Sequence, residues 1–137
     1  LWAQLEKADV IFKDRMDSWE YYYESFRDLA EEGKVELPYI PDNCTHNAHM
    51  FYLKVKNLEE RTALISYLKS KSIMAVFHYI PLHSAPAGKK YGCFVGIDKY
   101  TTKESERLLR LPLYYGMSEE HRRMVSEAVH EFYMDKR

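Results

Sequence analysis

The sequence predicts an α/β domain of the α+β kind, a small, mainly antiparallel sheet covered by helices and preceded by a long amino-terminal helix. Three observations predict it. Apolar residues recur at steps of three or four through the first thirty positions. The stretch HMFYLKVK alternates apolar and polar, and a second apolar run, IMAVFHYI, follows an intervening helical pattern. One small sheet with helices packed against it is the natural way for such elements to bury their apolar sides.

Taken in order, Leu1, Leu5, Ala8, Phe12, Met16, Trp19, Tyr23, Phe26 and Ala30 trace one stripe of an amphipathic helix. At about 1.5 Å per residue this helix would run roughly 45 Å, longer than the roughly 30 Å expected across a compact domain of this size. No capping residue precedes the stripe, as if the chain were cut within or just before a helix, and Gly33 is placed to stop it. Residues 34–47 form a connection punctuated by LPYIP and DNC. In HMFYLKVK, Phe51, Leu53 and Val55 share one face of a half-buried strand, and Met50, Tyr52 and Lys54 the other. Asn57 and Glu60 have the spacing of a capping box. They open the helix LEERTALISYLKSK, where the Arg61 stem, Leu64, Ile65 and Leu68 share a face. IMAVFHYI reads as a second strand, apolar enough to be central. Residues 81–100 read as irregular, with Pro86, Gly88, Gly92 and Gly96. TTKESERLLR is expected to be a short helix with Thr101 and Glu104 as its capping box, and LPLYY a short extended piece. Ser118 caps the last helix, with Glu119 and Glu120 in its first turn and Lys136 and Arg137 at its end, as the helix dipole favours.

Composition narrows the function. The chain has 137 residues and a formal net charge of −1, so there is no whole-chain basic footprint for nucleic acid. Its twelve tyrosines call for many buried rings whose hydroxyls find partners. Cys44 and Cys93 make no disulfide framework and no CxxC pair, which suits a reducing cytoplasm. No stretch approaches 18 apolar residues, and the first residues lack the features of a signal peptide, so no membrane association is expected.

Among candidate chemistries, His46 and His49 are spaced HxxH, and His78 and His83 HxxxxH. Neither pair has the HExxH helix pattern, and zinc needs three or four converging ligands, so no metal site is expected. Ser84 and Cys93 lie near histidines but in no nucleophile motif, and read as a loop hydroxyl and a half-buried thiol. APAG and YGCFVG match no phosphate-loop pattern. Lys89 and Lys90 read as a solvated loop pair, and the run from Trp19 to Tyr23 as packing on the striped helix. The stretch VFHYIPLHSAPAGKKYG is different. It crowds His78, Tyr79 and His83 around Pro81 where an apolar strand ends, and such ends commonly carry sites. The competing reading is a histidine bonded to backbone. Residue chemistry alone therefore ends at an α/β domain that binds a small polar ligand.

Three separated segments, HNAHMFYLKV, IMAVFHYIPLHSAPAGKKYG and YTTKESERLLRLPLYYGMSEE, resemble the carboxy-terminal part of sugar-nucleotide aminotransferases, pyridoxal-phosphate enzymes of the aspartate-aminotransferase fold (fold type I). The resemblance covers essentially the whole chain. HYIPLHSAPAG followed by DKYTTKESERLLRLPLYY is most similar to dTDP-4-amino-4,6-dideoxygalactose transaminases. The resemblance implies transfer of an amino group from glutamate to the 4-keto carbon of a dTDP-4-keto-6-deoxyhexose, for cell-envelope polysaccharide. It also implies a cytoplasmic homodimer, with residues 1–32 as an inter-domain helix and 48–137 as the body of the small domain. Pyridoxal phosphate and its Schiff-base lysine would then belong to a large domain outside this chain, leaving no catalytic residue and no bound cofactor here, and the isolated chain inactive. His78, Tyr79 and His83, with Asn47 and His49, would line the sugar-nucleotide site, where imidazole and phenol suit hexose hydroxyls and diphosphate charge. A stand-alone binding or interaction module on the same fold is the alternative, and the length of coding sequence upstream of Leu1 separates the two.

Overall fold

The structure, a computed structural model, describes residues 2–134. Its sheet has three antiparallel strands, β1 (Phe51–Lys54), β2 (Val76–Phe77) and β3 (Leu108–Leu111), in the order β1-β3-β2. Phe51 lies opposite Leu111 and Leu53 opposite Leu109 in one pairing, and Val76 opposite Arg110 in the other. The predicted fold class is therefore the observed one.

Around the sheet lie α1 (Trp2–Leu5), α2 (Ala8–Ser25), α3 (Arg27–Glu31), α4 (Leu58–Ser70), α5 (Pro86–Tyr91), α6 (Thr101–Arg107) and α7 (Glu119–Met134). The core forms where α2, α4 and α7 meet one face of the sheet. Trp19 and Tyr22 of α2, and Phe26 at the bend between α2 and α3, close on the Phe51 ring. Leu64 and Leu68 of α4, and Val125 and Val129 of α7, are buried with Leu53 and Leu109. The Tyr22 hydroxyl donates to the Pro112 carbonyl at 3.1 Å, which lets the ring be buried without stranding its polar end. The other face of the sheet, carrying Tyr52, Lys54, Val76, Leu108 and Arg110, stays more open.

Several local expectations hold. Gly33 adopts φ 70°, and its amide and that of Lys34 reach back to the Ala30 and Leu29 carbonyls, both at 2.9 Å, which closes α3 in a Schellman turn. Asn57 accepts from the Glu60 amide at 3.0 Å, while Glu60 accepts from the Lys56 amide, one residue earlier than in the standard capping box. The Ser118 hydroxyl caps α7 by accepting from the His121 amide at 3.1 Å.

Others are corrected. The single stripe over the first thirty residues is three helices. The chain turns at Glu6 and Lys7, then bends at Phe26 (φ −103°), where a fully buried ring takes precedence over helix continuity. Trp2 and Leu5 are exposed, so no packing holds α1 in line with α2. Leu1 of the stripe and Lys136 and Arg137 of the last helix lie outside the described residues. IMAVFHYI is not a central strand: only Val76 and Phe77 pair, at an edge, and both are exposed. The centre belongs to LLRL, expected at the end of a helix, because Leu109 and Leu111 bury between both neighbours while α6 stops at Arg107. Thr101 does not cap α6. Asp98 does, accepting from the Thr101 and Thr102 amides at 2.9 and 3.1 Å. The segment 81–100 is not wholly irregular, since Pro86 starts α5. Lys89 and Lys90 are therefore helical, though exposed as expected.

Candidate functional site

His78 and Tyr79 follow directly on β2. Their rings meet edge to face at 4.2 Å, with His78 half-buried and the Tyr79 ring exposed. The His78 Nδ1 atom is shielded from solvent and has no hydrogen-bond partner. Burial, then the charge of Arg110 and that of His49, hold its pKa below the ordinary 6.5. At neutral pH the ring is therefore uncharged.

His49 reaches this neighbourhood through a tight turn. Ala48, buried, adopts φ 48°, a conformation disfavoured for a residue with a Cβ. The turn is held from three directions. Arg15 of α2 donates to the Ala48 carbonyl at 3.0 Å and to the His49 carbonyl. Asn47 accepts from the His49 amide at 3.0 Å. The His46 ring, packed at a tilt against Trp19 at 4.3 Å, accepts from the Ala48 amide. Asn47 and His49 border a shallow groove of about 390 Å³ with Leu5, Phe12 and Arg15.

His83 turns elsewhere. Its Nε2 lies 3.0 Å from Asp98 and 3.2 Å from the Thr102 hydroxyl, and its ring packs on Phe94 at 4.6 Å. Asp98 is thus shared between the cap of α6 and His83, which ties both ends of the 83–102 segment together. Close packing continues at Gly88, where a Cβ would stand 1.6 Å from the Leu82 carbonyl oxygen, so only glycine fits. A pocket of about 520 Å³ opens there, lined by Leu82, His83, Tyr91, Cys93 and Phe94. Cys93 is exposed rather than half-buried. Ser84 donates to the Pro81 carbonyl at 3.0 Å, a turn-forming role.

The structure therefore brings His49, His78 and Tyr79 toward the open face of the sheet, with Asn47 fixing His49, and commits the His83 imidazole to Asp98. The sequence reading missed Arg110, whose charge is felt at His78, and Arg15, which shapes the turn before β1. Among the described residues, no group of three or more His, Cys, Asp or Glu gathers as a metal site, and no helix is long and apolar enough to cross a membrane.

The model of the DegT/DnrJ/EryC1/StrS aminotransferase family matches residues 1–130. The chain belongs to this family. One relative, the GDP-perosamine synthase of Escherichia coli O157:H7, is 26% identical over 137 residues, covering 98% of this chain and 35% of that protein. An uncharacterized protein of Methanocaldococcus jannaschii is 32% identical over 122 residues, covering 85% of this chain and 31% of the relative. The NtdA structure from Bacillus subtilis, solved with the bound cofactor PMP, superposes with a TM-score of 0.75 at 22% identity, covering 91% of this chain and 29% of that one. The chain spans about a third of the length of the relatives it matches.

Proposed function

We propose that this chain is the substrate-side small domain of a pyridoxal-phosphate-dependent transaminase. In this reading the enzyme moves an amino group from glutamate to the 4-keto carbon of a dTDP-4-keto-6-deoxyhexose, in the cytoplasm, as a homodimer, for cell-envelope polysaccharide. Family membership over residues 1–130 carries the reading. The sugar part draws support from relatives such as the GDP-perosamine synthase.

The residues of this chain do not by themselves fit the cofactor. Pyridoxal phosphate needs a lysine amine of depressed pKa and a phosphate cradle. None of the lysines among the described residues is buried. Lys54 pairs with Glu104, Lys71 with Glu131 and Lys34 with Glu32. Cofactor chemistry is accordingly assigned to a large domain beyond this chain, with residues 1–32 leading into it and 48–137 forming the small-domain body. His78, Tyr79 and His49, positioned by Asn47, form the wall that faces the sugar nucleotide, and His83 holds the adjoining loop against that wall.

Two measurements test this. The purified chain mixed with pyridoxal phosphate, glutamate and a dTDP-4-keto-6-deoxyhexose should release no amino sugar, and steady turnover would overthrow the assignment. In the full-length enzyme, His78→Ala or Tyr79→Phe should each remove about 0.5–1.5 kcal/mol of substrate interaction, a roughly two- to twelve-fold loss in kcat/KM. Wild-type kinetics in both folded variants would sink the site.

A further inference from the structure

We infer that Arg110 and His78 together form a grip for an oxyanion on the open face of the sheet. Arg110 sits on the solvent-side register of the central strand, opposite Tyr52 on β1 and Val76 on β2. The other described arginines are all engaged. Arg15, Arg61 and Arg107 donate to backbone carbonyls, Arg27 and Arg123 pair with glutamates, and Arg122 lies over the Tyr21 ring. Shielded, unpartnered Nε atoms also occur in Arg61 and Arg122, but among the described residues only the Arg110 side chain combines that with having no hydrogen bond, ion pair or ring contact at all. A guanidinium nitrogen removed from water and left unpaired is costly. Local rules broken without a compensating contact are expected where a ligand supplies that contact.

The neighbouring polar group is in the same condition. His78 Nδ1 is also shielded and unpartnered. The charged and titratable groups that act on His78 are Arg110 from β3 and His49 from the turn before β1, and both oppose its protonation. Among the described residues no carboxylate acts on His78 to balance them. The result is a patch of positive potential with two unsatisfied nitrogen groups. The planar fork of a guanidinium matches a carboxylate or a phosphate with two parallel hydrogen bonds. An oxyanion seated there satisfies Arg110, offsets the repulsion on His78, and draws a second proton onto the imidazole so that it too donates. The grip rests on the aminotransferase reading only for the source of the oxyanion, the carboxylate of the amino donor or the diphosphate of the nucleotide sugar.

The test uses the 137-residue chain and the histidine ring resonances in NMR, at constant ionic strength. Inorganic pyrophosphate and glutamate are titrated separately. At least one should shift the His78 ring saturably and raise its pKa, while His130 on α7 stays unmoved. Arg110→Gln should weaken the effect roughly ten-fold or more, and Arg110→Lys, which keeps the charge but loses the fork, should fall between. Response to pyrophosphate alone assigns the diphosphate, response to glutamate alone assigns the carboxylate, and response to both means that the grip accepts either. A His78 titration indifferent to both anions overturns the inference, as does an anion effect that survives in a folded Arg110→Gln chain. If neither anion binds and the full-length enzyme still transaminates, only the grip falls. If the anion binds and the full-length enzyme leaves nucleotide sugars unchanged, only the aminotransferase assignment falls.

Discussion

Gly33 and Ser72 end two helices with the same left-handed turn, and exchanging their side chains should shift stability in opposite directions. Gly33 has φ 70° and Ser72 φ 62°. At the second site the Ser72 amide reaches the Lys69 carbonyl at 3.0 Å and the Ile73 amide the Leu68 carbonyl at 2.9 Å, repeating the hydrogen bonds that follow α3. A residue with a Cβ loses roughly 1–2 kcal/mol in this conformation. Glycine gives back about 0.4–1 kcal/mol through its greater freedom in the unfolded chain. The net is about 0.5–1 kcal/mol in each direction. A Cβ at Gly33 would meet nothing within 4 Å, and Ser72 is exposed, so the backbone term acts almost alone. With an unfolding entropy of about 2.1 cal/mol/K per residue, Gly33→Ala should lower Tm by roughly 2–4 °C and Ser72→Gly should raise it by as much. Urea and thermal unfolding followed by circular dichroism measure both. Shifts of the same sign, or a destabilised Ser72→Gly, would refute the reasoning.

Two further outcomes are expected. Arg15→Ala should cost about 2–3 kcal/mol in urea unfolding, because the buried Ala48 carbonyl loses its charged donor. Arg27→Ala, which breaks only an exposed pair with Glu24, should stay within about 0.5 kcal/mol, and equal costs would discredit the account of the turn. The Asp98 carboxyl is held below its ordinary 3.8 chiefly by the Thr102 hydroxyl, against the effect of burial, with the Thr102 and Thr101 amides and the His83 charge adding to it. A carboxyl depressed in the native state stabilises above its unfolded value and loses that contribution as pH falls through the folded one. The amide resonances of Thr101 and Thr102 should therefore lose protection below about pH 4, and Asp98→Asn should flatten that profile. Superimposable profiles for the two proteins would rule out the cap.

Elements with their own punctuation were legible from the residues. Helix α4 announces itself through Asn57 and Glu60, α7 through Ser118 and its acidic first turn, and β1 through strict alternation. Strand β3 was hidden because LLRL follows TTKESER with no glycine or proline between them, so a helix period runs on over a strand. Its central place depends on pairing with Phe51 and Val76, which no local window contains. The apolar run before His78 misled in the other direction. Met74, Val76 and Phe77 are exposed, so their composition reflects something other than the core of this domain. His78 and Tyr79 stood out as polar groups ending an apolar run. Arg110 could not, because its meaning depends on which strand it occupies and on the lack of any partner, and only a folded chain reveals either.

The strand order has a consequence for biosynthesis. Every pairing between the three strands passes through Leu108–Leu111, so until the ribosome has made the last quarter of the chain β2 has no neighbour and β1 has only the bridge from Lys54 to Glu36. Helix α7, which seals the same core, emerges later still. A nascent chain reaching Tyr100 therefore carries Phe51, Leu53, Trp19 and Phe26 with no sheet to bury them. Closing such distant contacts is entropically demanding and slow, and unpaired apolar strands left waiting invite aggregation. Translation pauses shortly before Leu108 should make this polypeptide a strong chaperone client. The same pauses after Met134 has cleared the exit tunnel should have no such effect.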